Sequence, residues 1–457
     1  MPLPQTIFRE YDIRGVVGPD LDAEGAEVIA LAFGTYLAAH GVRRAVIGHD
    51  NRTSSDTLYE AAVRGLTGSG CDVIKIGLCV TPMLYFALHH FAVDGGVMVT
   101  ASHNPPEFNG FKLCLGPGTL YGAQIQEVRR IAAAGQFRRG AGTLEEREIV
   151  AAYAAMLRDR IRLGPGHLRV VVDCGNGTAG GFVPEIVRQW DVDVVPLYCD
   201  LDPSFPHHHP DPVEPRNLQD LIRTVGQSTA GAGLGFDGDG DRLGVVDDHG
   251  GILWGDLLMA LFWREILVTH PGAIALVEVK CSQALIDEIR RLGGRPQFTQ
   301  TGHSLIKARM RELGAVFAGE MSGHMFFADE YFGYDDAIYA AGRLLRILSK
   351  AGRPLSSLAG EIPRYYATPE IRVACPDESK HGVVASLVRE FKTRYDVIDI
   401  DGVRIVLPDG WGLVRASNTQ PVLVVRAEGV NPEALERIKT ILEDALRRHP
   451  EVAPIRW

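Results

Sequence analysis

The sequence predicts an α/β protein with three similar α/β domains in tandem, whose sheets are mixed and mostly parallel, followed by a C-terminal α+β domain. Two observations carry this prediction. A unit of β-branched strand, polar loop and amphipathic helix occurs three times, opening with residues 44–50, 168–173 and 273–279. From about residue 366 the pattern changes to short strands joined by a tight turn.

Each copy of the repeated unit continues in the same order along the chain. Its opening strand leads to a helix, predicted over 55–67, 182–190 and 284–292 in the three copies. A second strand and then a third follow, the third at 96–100, 233–236 and 315–319. Strands that alternate with helices at this spacing predict parallel βαβ sheets, and near-continuous apolar runs are typical of strands covered on both faces.

The C-terminal region begins with a strand at 370–373 and a helix at 381–393. Strands 403–407 and 412–415 are joined by P-D-G-W, a turn signal that predicts an antiparallel pair. A further strand and a helix at 432–447 complete the predicted α+β domain. The expected domains are therefore 1–148, 149–251, 252–365 and 366–457.

Composition excludes several classes of protein. With 46% hydrophobic and 23% charged residues among 457, the chain has globular composition. Its 47 basic and 57 acidic residues give a net charge of −10, which argues against nucleic acid or an anionic membrane as a partner.

No signal peptide or membrane span is visible, and seven scattered cysteines without C-x-x-C indicate a reducing compartment, so a cytoplasmic protein is expected. Without coiled-coil heptads or an obvious apolar patch, the sequence is compatible with a monomer.

The third strand of each α/β copy runs into an unusual polar loop at its carboxyl end, where open parallel sheets bind ligands. These loops are T-A-S-H-N-P (100–105), D-G-D-G-D-R (237–242) and G-E-M-S-G-H (319–324). Three different polar loops at one structural position predict a single site built from three sides.

The acidic loop is the most specific of the three. Asp237, Asp239 and Asp241 alternate with glycines, which let the backbone aim all three carboxylates at one point. Converging carboxylates repel unless a cation lies among them, and an all-oxygen set suits Mg²⁺ or Ca²⁺. An EF-hand is rejected because its sixth and twelfth positions would be Arg242 and Asp248, where Gly and Glu are required. A solvated acidic turn is the remaining structural alternative.

Ser102 is the candidate to bring a phosphate to this metal. Mg²⁺ is commonly completed by phosphate oxygens, and Arg242 is a fixed cation suited to them. The Asn104–Pro105 turn is expected to hold the Ser102 hydroxyl exposed. G-x-S-x-G is absent, which argues against a Ser-His-Asp hydrolase. Alone, the loop could be an ordinary turn.

Two further loops favour a hydroxyl-rich, phosphorylated ligand. Glu320, Ser322 and His324 share one face of an extended segment, as suits sugar hydroxyls, and His324 could move protons near neutral pH. A capped turn with a buried histidine is the alternative. The loop R-A-S-N-T-Q-P at 415–421 offers a donor cluster for a phosphate dianion, although polar hairpin loops are common. By contrast, the consecutive histidines of F-P-H-H-H-P-D-P (205–212) cannot easily converge on one ion, so a structural role is expected.

With these four loops in this order, the whole chain resembles the α-D-phosphohexomutase superfamily, most closely the bacterial phosphomannomutase/phosphoglucomutase group. The resemblance implies four domains around a central cleft and one Mg²⁺ per chain. It implies an isomerase that interconverts hexose 1-phosphate and hexose 6-phosphate of mannose or glucose. A phosphoserine would donate phosphate, and a hexose 1,6-bisphosphate would serve as intermediate and activator.

The resemblance also implies roles for individual residues. The catalytic residues would be Ser102 as phosphoserine, Lys112 and His324 as general acid and base, and Arg14. The metal would be held by the Ser102 phosphate with Asp237, Asp239 and Asp241. The substrate-binding residues would be Tyr11, Arg242, Lys280, His303, Glu320, Ser322, Arg415, Ser417, Asn418 and Thr419.

Three other functions compete with this one. A phosphoglucosamine mutase belongs to the same superfamily, but such enzymes typically have Gln at the Met321 position and Ala at the Gly240 position. A Mg²⁺-dependent sugar-phosphate phosphatase would share the aspartates and the serine and would release inorganic phosphate. A non-catalytic sensor is disfavoured because Ser102, Lys112 and His324 are all present.

Overall fold

A computed structural model describes residues 3–418 and 420–457, whose backbone forms four β-sheets. The chain divides into two compact units. The first comprises Met1–Gly255 and Ser322–Ala359, and the second comprises Asp256–Met321 and Gly360–Trp457. Each unit contains helices packed on β-sheets.

The first sheet of the first unit carries the loop at 100–105. Its strands are β1 (Ile13–Val16), β2 (Arg44–His49), β3 (Asp72–Leu78), β4 (Gly95–Val99), β5 (Phe108–Leu115), β6 (Gly118–Thr119) and β7 (Leu144–Glu146). Their order is β1-β5-β4-β2-β3-β7, with β6 beside β5. The helices are α1 (Ala23–Ala39), α2 (Ser55–Gly68), α3 (Thr81–His90) and α4 (Ala123–Ala134). All five residues of β4 are buried, and the following loop therefore leaves the sheet from its centre.

The second sheet carries the acidic loop. Its strands are β8 (Leu168–Asp173), β9 (Val192–Leu197), β10 (Ala232–Phe236), β11 (Leu243–Asp247) and β12 (Ile252–Leu253), in the order β12-β11-β10-β8-β9. The helices are α5 (Val150–Arg160), α6 (Val183–Arg188) and α7 (Gln219–Ser228). Because β10 runs parallel to β8 and antiparallel to β11, the acidic loop is a tight reversal between two paired strands.

Residues 322–359 complete the first unit. They form β16 (Met325–Phe327), α11 (Ala337–Ala351) and α12 (Leu355–Ala359). Asp336 caps α11 by accepting a hydrogen bond from the Tyr339 backbone N–H at 2.8 Å. The hydroxyls of Tyr153 and Tyr331 also donate to its Oδ2, at 2.8 and 2.7 Å, which ties α11 to α5.

The second unit begins with a parallel sheet. Its elements are α8 (Gly255–Thr269), β13 (Ile274–Glu278), α9 (Gln283–Arg291), β14 (Arg295–Thr299), α10 (His303–Leu313) and β15 (Phe317–Gly319). Strand β13 pairs in parallel with both β14 and β15. The loops that follow β13, β14 and β15 therefore leave the sheet at the same edge.

The C-terminal part of the second unit is an antiparallel sheet covered by two helices. Its elements are β17 (Tyr366–Ala367), β18 (Ile371–Ala374), α13 (Asp377–Phe391), β19 (Asp396–Ile398), β20 (Val403–Leu407), β21 (Gly410–Ala416), β22 (Val422–Gly429) and α14 (Pro432–Leu446). The order is β17-β22-β21-β20-β19, with β18 beside β22. Leu387 of α13, Ile438 of α14 and Val425 of β22 belong to one buried core.

The predicted fold class is confirmed, with differences in detail. The sequence repeat does not reveal the antiparallel strands β1, β5, β11 and β12, because these strands lie outside its strand–helix units. The helix expected over 182–190 is shorter because Thr178–Gly181 forms a 3₁₀ turn before it. The helix expected from residue 381 begins at Asp377, whose first turn carries the favourable acids Asp377 and Glu378. Among the described helices, none is long and apolar enough to cross a membrane.

The buried Asp336 predicts a pH dependence of stability. Burial raises the pKa of its carboxyl to about 6, although the hydrogen bonds from Tyr331, Tyr339 and Tyr153 oppose the shift. The folded protein therefore binds a proton that the unfolded chain has already released, so the stability of the wild-type protein relative to Asp336→Asn should decrease between about pH 4 and pH 7. The decrease should be at most about 3 kcal/mol.

Urea unfolding of both proteins across this pH range measures the effect. Asp94→Asn, which changes an exposed aspartate of the same unit, serves as the control. A stability difference between wild type and Asp336→Asn that does not vary with pH contradicts the prediction.

Candidate active site

The Ser102 loop leaves the centre of the first sheet after β4. Ser102 has a φ of 51°, a left-handed conformation that is costly for a residue with a side chain. Its Oγ donates a hydrogen bond to Asp237 Oδ2 at 2.7 Å. The expectation of an exposed hydroxyl is wrong: Ser102 is only 2% exposed, because the acidic loop covers it.

The acidic loop follows β10 and brings its three carboxylates together. Asp237, Asp239 and Asp241 are fully buried, and each offers an oxygen within 4.8 Å of the others. Gly238 allows the loop to approach Ser102, since a Cβ at this position would lie 2.3 Å from the Ser102 carbonyl oxygen. The alternative of a solvated acidic turn is therefore wrong.

Lys112 of β5 compensates part of this negative charge. Its Nζ donates to Asp239 Oδ2 at 2.7 Å and also contacts Asp241 Oδ2. Burial alone would lower the pKa of Lys112, but Asp239 and Asp241 outweigh burial and raise it. Lys112 is therefore an ammonium ion at neutral pH.

The surroundings shift the pKa values of two of the aspartates in opposite directions. Burial, followed by repulsion from Asp241 and Asp239, raises the pKa of Asp237 well above its usual value. Burial would also raise the pKa of Asp241, but the charges of Lys112 and His324 outweigh it and hold that pKa well below the usual range. The surroundings thus oppose ionisation of Asp237 and favour ionisation of Asp241.

The acidic loop has the chemistry of a site for a hard divalent cation. Its ligands would all be oxygens, which Mg²⁺ prefers. Asp239 Oδ1 is buried and accepts no hydrogen bond from the described part of the chain. A buried carboxylate oxygen without a donor is costly, and a cation would satisfy it. The residues therefore fit a metal ion.

His324 and its neighbours lie on the other side of Asp241. His324 Nε2 is 3.2 Å from Asp241 Oδ1, and Arg242 Nε lies 3.4 Å from the same ring nitrogen. Ser322 Oγ is 3.0 Å from His324 Nδ1. The first unit thus brings together residues from all three predicted loops: Ser102, the three aspartates, Arg242, Ser322 and His324.

Arg14 and Tyr11 belong to the same unit. Arg14 of β1 donates to Asn104 Oδ1 and to Asp12 Oδ2, both at 2.6 Å, so it holds the Ser102 loop from the side. Tyr11 lies just before β1 and is partly buried. In addition, burial lowers the pKa of His103 well below its usual value, so this ring is neutral beside the charged groups.

The second unit gathers most of the remaining predicted residues. Lys280 Nζ lies 3.2 Å from Glu278 Oε1 and 3.0 Å from Glu370 Oε2. Lys280 in turn lowers the pKa of Glu370 to about 2. The backbone around Lys280 is fixed by Arg404, whose Nη1 donates to the Cys281 carbonyl at 2.9 Å.

Within this unit, the loop between β14 and α10 links Glu320 of the loop at 319–324 (the sugar loop) to Arg415 of the loop at 415–421 (the phosphate loop). Glu320 Oε1 accepts a hydrogen bond from Gly302 N at 2.8 Å, and His303 is the first residue of α10. Asp401 Oδ2 accepts from Thr301 N and from Arg415 Nε, both at 2.9 Å. Ser417 Oγ accepts from Gln420 N at 3.2 Å, and Asn418 follows it. Thr419 lies outside the described residues.

Some residues of both units were not predicted from the sequence. Arg52, Glu278, Glu370, Asp401 and Arg404 contact the predicted residues or the backbone beside them. The available signal was positional: Arg52 follows β2 at the carboxyl edge of its sheet, in the segment G-H-D-N-R.

The histidine run has a structural role, as expected. His207 stacks on Tyr198 with ring centroids 3.8 Å apart, and its Nδ1 is 2.8 Å from Asn176 Oδ1. His208 Nε2 is 3.2 Å from Asp173. The rings of His207 and His208 are thus held by side chains of the same unit and do not converge on one point.

Comparison with known proteins gives the family. Models of the four phosphoglucomutase/phosphomannomutase domains match in order: alpha/beta/alpha domain I at residues 5–139, domain II at 151–251, domain III at 254–366, and the C-terminal domain at 370–445.

Relatives agree over the full length. The chain is 44% identical to phosphomannomutase/phosphoglucomutase of Pseudomonas aeruginosa, covering 99% of this chain and 98% of that one. It is 41% identical to phosphoglucomutase of Neisseria meningitidis serogroup A, with 98% of both covered. A crystal structure of a phosphoglucomutase/phosphomannomutase family protein from Burkholderia thailandensis matches with a TM-score of 0.93 and 39% identity over 100% of both chains. The superfamily predicted from the four loops is confirmed, and the chain belongs to the phosphoglucomutase/phosphomannomutase family.

Proposed function

We propose that this protein is a phosphohexomutase that interconverts hexose 1-phosphates and hexose 6-phosphates of mannose or glucose through a phosphoserine at Ser102. The observation that carries the proposal is the hydrogen bond of 2.7 Å from Ser102 Oγ to Asp237, inside a buried loop of three carboxylates. Family membership gives this arrangement its reaction class.

Mg²⁺ would be held by Asp237, Asp239, Asp241 and the Ser102 phosphate, one ion per chain. There it would neutralise charge on the phosphate oxygens, which is the main requirement of phosphoryl transfer. The orphaned Asp239 Oδ1 supports this assignment.

The reaction needs a proton balance that Lys112 and His324 can supply. As the bond between phosphorus and Ser102 Oγ breaks, a bond forms from phosphorus to a sugar hydroxyl oxygen. His324 would accept the hydroxyl proton, and Lys112, which the charges of Asp239 and Asp241 keep protonated despite its burial, would supply the proton that Ser102 Oγ needs. Arg14 and Arg242 would add fixed positive charge near the transferring group.

The remaining predicted residues would recognise the sugar phosphate. In the second unit, Arg415, Ser417 and Asn418 would bind its non-reacting phosphate, together with Thr419. The residues proposed to bind the sugar or its phosphates elsewhere are Tyr11, Lys280, His303, Glu320 and Ser322. We also propose that the chain has four domains, 1–148, 149–251, 252–365 and 366–457, and that these domains carry the loops.

Ser102 provides the first test. After exposure to glucose 1,6-bisphosphate, the intact mass of the wild-type protein should increase by one phosphoryl group, and Ser102→Ala should not change mass. Isomerisation of glucose 1-phosphate by Ser102→Ala should fall by about a thousandfold or more, because the nucleophile is lost.

Ser204→Ala, at a serine whose partner is the nearby Asp202, is the control and should retain full activity. Full isomerisation by Ser102→Ala would refute the proposal. Release of inorganic phosphate without isomerisation would indicate a phosphatase, and a preference for glucosamine 6-phosphate would indicate a phosphoglucosamine mutase.

The metal assignment predicts a change in Mg²⁺ affinity. Asp239→Asn should weaken Mg²⁺ binding by at least about tenfold, because the variant removes one charged oxygen ligand. Calorimetric titration of the wild-type and variant proteins measures this affinity. Asp193→Asn, at an exposed residue paired with Arg169, should bind like wild type. Equal Mg²⁺ affinity in Asp239→Asn would exclude this residue as a ligand.

The phosphate loop predicts an effect on substrate binding. Arg415→Lys should raise KM for glucose 1-phosphate by about tenfold, because a planar donor pair is replaced by a point charge. Its kcat should change less than its KM, since Arg415 is proposed to hold the non-reacting phosphate. Arg437→Lys, at a half-exposed arginine of α14 paired with Asp409, is the matched control. Steady-state kinetics in which KM stays constant would contradict the assignment.

A further inference from the structure

Arg52 is buried behind the Ser102 loop, and the proposed chemistry does not use it. The residue is 3% exposed, and its guanidinium lies against the Phe205 ring, 5.3 Å from the centroid. Its Nε is 3.2 Å from Asp50 Oδ2. The other two nitrogens donate to four backbone carbonyls: Ser102 at 2.8 Å, Asn104 at 2.6 Å, Pro105 at 2.6 Å and Phe108 at 3.0 Å.

Three of these carbonyls belong to the Ser102 loop, and the fourth belongs to Phe108, the first residue of β5. Between β4 and β5 the backbone forms turns instead of a sheet ladder, and Ser102 is in the left-handed region. Buried carbonyls without donors would each cost about 1–3 kcal/mol. A single planar cation with five N–H donors satisfies four of them at once, which lysine cannot do.

The residue before Arg52 holds the acidic loop. Asn51 N donates to Thr178 Oγ1 at 2.9 Å, and Asn51 Nδ2 donates to the Asn176 carbonyl at 3.0 Å. Thr178 N in turn donates to the Gly238 carbonyl at 2.9 Å, within the acidic loop. The consecutive residues Asn51 and Arg52 thus hold the acidic loop and the Ser102 loop, which meet where Ser102 contacts Asp237.

We propose that Arg52, assisted by Asn51, is a positioning residue that sets the place of Ser102 Oγ relative to the acidic loop and thereby the rate of phosphoryl transfer. This inference rests on the proposed function of Ser102 as a phosphoserine. Arg52 touches neither the phosphate nor the sugar in this assignment, so it acts on the transfer step through the backbone of the loop and has little influence on sugar-phosphate binding.

The test separates positioning from folding. Phosphorylated wild type, Arg52→Lys and Arg52→Gln are mixed in single-turnover experiments with glucose 6-phosphate, and the decay of phosphoserine is followed. An unfolded fraction lowers the amplitude of this decay, whereas a misplaced Ser102 lowers its rate constant. Arg64→Gln, at an exposed arginine of α2 paired with Glu27, is the matched control.

We expect the rate constant to fall by about 10- to 100-fold in both Arg52 variants, as a small displacement of a reacting atom can cause. KM for glucose 6-phosphate should remain within about threefold of wild type, because Arg52 does not contact the bound sugar phosphate in this assignment. The control should match the wild-type rate. Rate constants equal to wild type, with only the amplitude reduced, would overturn the inference and leave Arg52 a purely structural role.

Two further measurements keep the result decisive. If neither Arg52 variant folds, Asn51→Ala is measured in the same way: a lower rate constant supports the inference and an unchanged one overturns it. Wild type is measured first, because a wild-type phosphoserine that does not react with glucose 6-phosphate would refute the proposed function itself. A reactive wild type with equally reactive variants would refute only the positioning role.

Discussion

Carboxylates repel one another strongly when water is excluded, and Asp237, Asp239 and Asp241 lie fully buried in one loop. Lys112, which enters from β5, compensates part of this charge in the first unit. The His324 ring, from residues 322–359 of the same unit, lies 3.2 Å from Asp241. A cation bound to the loop would add to the same compensation, and under the proposed function the same positive charges would act on a phosphate at Ser102.

The site also requires the backbones of the Ser102 loop and the acidic loop to approach each other closely. Ser102 reaches Asp237 because Gly238 has no side chain at the point where the loops meet. The left-handed Ser102 would be unfavourable in an isolated loop, but the carbonyls around it are held by the Arg52 guanidinium. Local strain at the serine is thus balanced by a buried hydrogen-bond network whose members are distant in sequence.

How far the sequence predicts this site depends on what kind of signal a residue leaves. The acidic loop is visible because its alternating aspartates and glycines are consecutive, and its position after a buried strand predicts where it lies. Arg52 and Asp401 belong to no such run of like residues, and the groups that they contact lie in other segments of the chain. The pairing of strands β1 and β5 is not predicted for a related reason. It joins residues nearly a hundred positions apart in the sequence, and no turn connects the two strands directly.

Burial of the serine also bears on the choice between a mutase and a phosphatase. Ser102 is 2% exposed, and the three aspartates beside it are fully buried. A phosphoserine in such surroundings is shielded from bulk water, the competing acceptor that a phosphatase must admit. A sugar hydroxyl differs from water because binding of the rest of the molecule can hold it in position. The enclosure therefore favours transfer from the proposed phosphoserine to a bound sugar over its hydrolysis.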